Sequence, residues 1–300
     1  VTVPELPEDP GEYLEFLYTQ NLFETNKPLP FYNEVNKIAG NIGSTQSQGV
    51  EITLNTVNIV TKDFEWDTTL TLSHYNDRWL KRDPNWKPRA YEKEDDPIRA
   101  WWEYEAIGIL QPGEKAPDAQ KDLVPGMMKL KDRDGNGVLG DEDKVYMGNG
   151  DPKIIYGLNN SFRYKNFDLS FMIQCVQGLE IFNSARSFLL NGEGWGNGAK
   201  DLYKNYFSET NPNGKYARPS VATADKLYEK SSYMVEDGSF IRFNNITLGY
   251  NFSKTFIAKM GLKGLRVYVT AQNPFTITKY SGYNPEVSTN SNALTPGIDY

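Results

Sequence analysis

The densest group of chemistry-bearing side chains is an acidic run punctuated by glycine, Asp132-Arg133-Asp134-Gly135-Asn136-Gly137-Val138-Leu139-Gly140-Asp141-Glu142-Asp143. It follows the D-x-[DN]-x-[DN]-G opening of a calcium loop and has an acidic residue at the twelfth position. Oxygen donors at alternate positions let a short loop wrap a hard cation, and Gly137 permits the sharp turn that wrapping requires. The expected ligands of a structural Ca2+ are Asp132, Asp134, Asn136, the Val138 carbonyl and Asp143. A competing reading is a solvated acidic turn that uses Asp, Asn and Gly for backbone reasons.

A second set of candidates is aromatic. Trp101 and Trp102 are adjacent, and Trp195 lies in a GEGWGNG segment. Large amphipathic side chains of this kind stack on sugar rings or meet partner proteins, though burial inside a folded loop accounts for them equally. No catalytic set accompanies them: the G-x-S-x-G, G-x-x-x-x-G-K-[ST] and H-E-x-x-H patterns are all missing. The pairs Asp95-Asp96 and Asp141-Asp143 fall in polar stretches where solvated charge is the ordinary explanation. With one histidine (His74) and one cysteine (Cys175), the sequence also lacks the means for a disulfide framework or a multi-cysteine metal site. The expectation is a protein that is not an enzyme.

The elements that must position these residues are strands. In FEWDTTLTLSHY, Phe64, Trp66, Leu70 and Leu72 share one face, and Glu65, Asp67, Thr69, Thr71 and Ser73 the other. KIIYGLNNSFRYK sets Tyr156, Leu158, Phe162 and Tyr164 against Gly157, Asn159, Ser161 and Arg163. FDLSFMIQC alternates the same way, as does LRVYVTAQN; GVEITLN and ITLGYNF repeat it with phase slips at their ends. These runs of roughly 9–12 residues are long enough for a tilted strand to cross a bilayer. No apolar stretch reaches the roughly 18 residues of a transmembrane helix, which does not bear on a barrel. The abundance of Tyr, Phe, Thr, Asn and Gly in a chain of mean hydropathy -0.60 agrees with many strands. A net charge of -7 speaks against nucleic acid as a partner.

A soluble sandwich alternates too, so the connections matter more than the strands. Tight turns at Thr61-Lys62-Asp63 and Lys165-Asn166, and a shorter connection from Ser253 to Gly264, join successive strands. Between these hairpins lie connections of about 70 and about 60 residues, unusually long for a compact domain. Strands that run up and down in order place all the short turns at one end and all the long loops at the other. That sidedness belongs to outer-membrane barrels. Aromatics gathered near strand ends (Trp79, Tyr156, Tyr164, Phe167, Tyr250, Phe252 and Tyr280) suit interfacial girdles.

From about Asn41 to Tyr300 the chain resembles the C-terminal region of the SusC/RagA family of TonB-dependent outer-membrane transporters. The ordered motifs that carry the resemblance are NIGSTQSQGVEITLNTVNI, PGMMKLKDRDGNGVLGDEDK and GNGDPKIIYGLNNSFRYKNFDLSF, then YKNYFSETNPNGKYARP, EDGSFIRFNNITLGYNFS, GLKGLRVYVTAQNPFTITKYSGYNPEV and TPGIDY. The resemblance implies an all-β fold: the C-terminal part of an antiparallel transmembrane β-barrel of about 22 strands. Residues 1–48, whose first 40 carry no family motif, are expected to be a variable extracellular loop segment. Residues 49–300 are expected to be barrel, with extracellular loops at about 80–152, 177–236 and 279–300.

What the resemblance implies for function is import of a large nutrient, a glycan or a peptide, across the bacterial outer membrane, driven through TonB. A SusD-like surface lipoprotein would cap the barrel and contact its loops. Glu65, Asp67, Asn159, Arg163, Asp168, Gln174, Arg266 and Gln272 would then line the lumen, while the apolar faces meet outer-membrane lipid. The alternative is a soluble or surface-attached β-sandwich, stabilised by calcium, that binds carbohydrate.

Overall fold

The structure, a computed structural model, describes residues 27–28, 37–38, 43–190, 198–219, 230–286 and 298–299. Two short strands, β1 (Lys27–Pro28) and β2 (Lys37–Ile38), pair antiparallel with each other. The body of the molecule is a six-stranded sheet. It is built from β3 (Ser44–Val60), β4 (Phe64–Lys81), β9 (Ile154–Tyr164), β10 (Phe167–Gln177), β13 (Phe240–Asn251) and β14 (Arg266–Thr278). Its order is β14-β13-β10-β9-β4-β3, and every pairing in it is antiparallel. The sheet does not close on itself: β3 and β14 are its edges. The first strand begins at Ser44, five residues ahead of Gly49, and runs for 17 residues.

Three short connections lie at one end of the sheet. Thr61-Lys62-Asp63 is closed by the amide of Thr61 donating to the Phe64 carbonyl (2.8 Å). Lys165-Asn166 turns in two residues, with Lys165 at φ 52° as such tight hairpins demand. Between β13 and β14 a helical turn, Lys254–Ala258, is capped by Ser253, whose hydroxyl accepts the Phe256 amide. Neighbouring turns are tied together: Lys165 donates to the Asp63 carbonyl (2.7 Å) and Asn251 to the Asn166 carbonyl (2.8 Å).

The long connections at the other end fold into small sheets of their own. In the first, β5 (Ala100–Tyr104) pairs with β8 (Lys144–Asn149), and β6 (Ala106–Ile109) pairs with β7 (Met128–Leu130). In the second, β11 (Glu180–Asn183) pairs antiparallel with β12 (Val235–Asp237) and parallel with β15 (Ile298–Asp299). The buried apolar clusters lie at this end. Met128 and Leu130 of the first connection pack with Met234 and Phe182 of the second, so the two loops share a core. Another cluster joins Val176, Leu179, Ile181, Phe240 and Tyr280 where the strands enter the loops.

The sheet itself is covered differently. Its register places whole rows of apolar side chains on one face: Leu54, Leu70, Leu158, Ile173, Phe243 and Phe275 form one row, and Ile59, Trp66, Phe162, Leu169, Leu248 and Val269 another. Much of this face is bare: Leu54 is 53% exposed, Leu248 52% and Val269 74%. A contiguous apolar surface of this kind belongs to a protein that meets lipid or another apolar partner there.

Candidate functional site

The opposite face of the sheet gathers the polar residues that alternation assigns to it. Glu65, Arg163, Asp168 and Gly249 occupy one row; Asp67, Ser161, Ser170, Thr247 and Thr270 the next; Thr69, Asn159, Met172, Asn245 and Gln272 the third. Two ion pairs cross the strands near the short turns. Arg163 pairs with Glu65, and Arg266 with Asp168 at 2.5 Å. Asn251 donates a further hydrogen bond to Asp168 at 2.9 Å. The Arg266–Asp168 pair passes directly over Gly249, where a Cβ would stand 2.5 Å from the Asp168 carboxylate. Only glycine leaves room for it.

Further along this face sits a network that periodicity does not reveal. Arg242 is buried, and its guanidinium donates to Thr276 Oγ1 (3.0 Å), to Asn284 Oδ1 (2.7 Å) and to the carboxylate of Glu286. Gln174 donates to Glu286 (3.4 Å) and accepts from the Asn244 side-chain amide (2.9 Å). The segment after β14 is thereby fastened across the polar face. The sequence signal for this was the phase slip in FIRFNNITLGY: the register shifts around Asn244, between Phe243 and Asn245, and the bulge returns Arg242 to the polar side.

The apolar face carries one buried polar group. Asn160 accepts from the Trp66 indole (2.9 Å) and from the Thr68 hydroxyl (2.8 Å), so a polar cluster is satisfied within an otherwise apolar surface. Of the expected girdle, Phe64, Tyr164, Phe167 and Tyr250 do line up at the short-turn end, with Phe252 packed edge-on to Tyr250. Tyr280 instead lies in a buried core, and Trp79 stacks on the Arg82 guanidinium in the loop region.

The acidic loop lies between β7 and β8. One oxygen from each of Asp132, Asp134 and Asp143 can lie within 4.8 Å of the others. Asp132 accepts from the amides of Gly135 (2.7 Å) and Gly137 (2.8 Å), and these bonds hold its carboxyl below the usual carboxylate range. Asp143, fully buried, accepts from Arg133 (2.6 Å) and Gly140 (2.8 Å), which ties the end of the loop to its start. Asn136 donates to Asp134 and accepts from the Val138 amide (2.7 Å). Gly135 and Gly137 take φ values of 74° and 80°, conformations that favour glycine. Three of the five expected ligands are thus carboxylates already drawn together, a donor set of the kind a hard cation takes.

Trp101 and Trp102 lie on β5 and are half-buried. Trp102 packs against Tyr91 and Tyr146 (ring centroids 5.5 and 6.2 Å apart), while the Trp101 indole N–H is buried without an acceptor among the described residues. Trp195 lies outside the described residues.

No family model matches the chain. It is 32% identical to TonB-dependent receptor P3 of Formosa agariphila over 87% of this chain and 27% of that receptor. It is 28% identical to TonB-dependent receptor SusC of Bacteroides thetaiotaomicron, over 93% of this chain and 28% of that receptor. The chain therefore spans little more than a quarter of these relatives' length. Among solved structures it shares the fold of the RagAB peptide transporter, with a TM-score of 0.68 at 20% identity over 92% of this chain and 30% of that one. The RagAB importer in its open-open state matches equally well, with a TM-score of 0.68.

Proposed function

Given that this chain belongs to the SusC/RagA family of TonB-dependent receptors, we propose that it forms the C-terminal wall of an outer-membrane barrel that imports a large nutrient. The observation that carries this reading is the bare apolar face of the six-stranded sheet. A soluble sandwich covers that face with a second sheet, whereas a barrel turns it to lipid. The short turns then face the periplasm, and the loops at about 80–152, 177–236 and 279–300 face outward, with residues 1–48 as a further outer segment. Closing the sheet needs strands on both sides of β3 and β14, for a total of about 22 in the whole receptor.

In this reading Glu65, Asp67, Asn159, Arg163, Asp168, Gln174, Arg266 and Gln272 line the lumen. TonB-coupled transport and capping by a SusD-like lipoprotein are properties of the whole receptor, to which this chain contributes wall and loops. The cargo is a glycan or a peptide, with Trp101, Trp102 and Trp195 as candidate contacts to cargo or cap. The test is fractionation of the intact receptor. It should sediment with outer membranes, require detergent and migrate differently when unheated; recovery as a freely soluble protein would sink the barrel. Co-purification of a surface lipoprotein, or its absence, decides the cap.

The acidic loop is read as a structural calcium site that orders the first long connection. Asp132, Asp134, Asn136, the Val138 carbonyl and Asp143 would hold the ion, which supplies charge neutralisation rather than reactivity. Calorimetry on the intact receptor tests it: calcium should bind, and an Asp132→Ala/Asp134→Ala double variant should lose the heat. An unchanged isotherm returns the loop to a solvated acidic turn.

A further inference from the structure

β4 and β9 pair as far as Ser73 and Ile155, and there they part. The separation is bridged by charge. Arg99 reaches Asp77 at 2.6 Å and Asp151 at 3.1 Å, and the Tyr75 hydroxyl donates to Asp151 at 3.3 Å. Beside this bridge opens a cleft of about 360 Å³, whose lining includes Tyr75, Asp77, Tyr146, Asp151, Lys153 and Glu180.

Two carboxylates in this lining have acceptor capacity that the protein leaves unused. The Asp77 side chain is only 10% exposed, and its Oδ1 is buried without a hydrogen-bond partner among the described residues. Glu180 makes no hydrogen bond or ion pair among the described residues. The stem of Lys153, the nearby cation, lies instead against Gly178. Burial, with Asp237 adding to it, pushes the Glu180 carboxyl above its usual range. Burial does the same to Asp151, with Arg99 opposing it and Asp77 reinforcing it. A cation would relieve both groups, whereas a sugar hydroxyl supplies a hydrogen bond but no charge.

The form of the cation follows from the walls. Among the described residues, the acidic groups close enough to share a metal ion are Asp132, Asp134 and Asp143. Asp77, Asp151 and Glu180 stand too far apart for a divalent ion, which needs several oxygens at about 2.3–2.6 Å. Carboxylates set apart beside aromatic rings suit an organic cation, whose ammonium meets the acids while its stem lies on the rings. Tyr146 supplies such a ring, half exposed at the lining.

We propose that this cleft binds a primary alkylammonium group, with Glu180 and Asp77 as its counter-ions and Tyr146 as its aromatic wall. A lysine side chain and a free amino terminus share this chemistry. The site needs only access from solvent at the loop end of the sheet, so it stands or falls apart from import.

Calorimetry on the intact receptor in detergent is the test. Three probes are used: a lysine tripeptide blocked at both ends, its Nε-acetylated counterpart, and an unblocked alanine tripeptide. The lysine peptide should bind and the acetylated one should not. Binding of the alanine peptide alone supports the same site with an amino terminus as its source. Glu180→Gln should weaken binding at least about tenfold, and Tyr146→Leu by a smaller factor. Because Glu180 makes no bonds in the folded protein, its replacement should leave the heat-modifiable band intact. Equal binding of acetylated and free peptides, unchanged affinity in Glu180→Gln, or no binding of either free probe overturns the proposal.

Discussion

At Gly249 a missing side chain carries as much weight as any present one. The Arg266–Asp168 pair lies across that position, so Gly249→Val must displace the pair or the strand. Overpacking of this kind costs about 1–3 kcal/mol, more than an exposed ion pair itself contributes. The variant should therefore lower the melting temperature of the intact receptor further than Arg266→Ala does. Asn160 presents the converse case, a buried acceptor serving two donors. Asn160→Leu leaves the Trp66 indole and the Thr68 hydroxyl unpaired against lipid, at a cost of about 1–3 kcal/mol, read by thermal unfolding in detergent. Asp132 brings in pH. Its folded value lies below its unfolded value near 3.9, so the stabilisation it confers is fully present above that point. It is lost only as the pH falls through the lower folded value. Loop order and calcium uptake should thus be level between about pH 7 and about pH 5, and a decline within that window counts against Asp132 as a ligand.

Among the elements, β13 shows how one residue sets which side of a strand is wet. Below Asn244, Ile246, Leu248 and Tyr250 share the apolar face; above it, Ile241 and Phe243 do, although their numbers have the opposite parity. Deleting Asn244 removes the extra residue and reverses the upper half of the strand. Arg242 would then face lipid, and Phe243 the polar side. An arginine there costs about 2–4 kcal/mol at the bilayer midplane and less near the interfaces, besides leaving Glu286 and Asn284 without their donor. The expected outcome is failure of the receptor to assemble, seen as loss of the heat-modifiable band. Asn244→Ala, which keeps the bulge, should assemble.

For the whole molecule, the two open edges decide what the chain does by itself. β3 and β14 each present a row of unpaired backbone groups, and lipid offers these no partner. The 300-residue chain produced alone should aggregate or oligomerise in detergent, as size-exclusion chromatography would show, while the intact receptor runs as a discrete species. A discrete, heat-modifiable monomer from the isolated chain would refute the wall-fragment reading.

Strand content, the two-faced alternation of Phe64–Leu72 or Phe167–Ile173, the turns at Lys62 and Lys165 and the sorting of loop lengths were all legible in the sequence. Each depends on residues close together in the chain, and so did the spacing that drew Asp132, Asp134 and Asp143 together. The partners of Arg242 lie more than 30 residues away, and Asp77 meets Arg99 and Asp151 across a gap between strands. Periodicity carries no information about such meetings, since it records which face a residue takes and not what stands opposite. Non-local pairing and the bulge at Asn244 set the register, and register alone decided these sites.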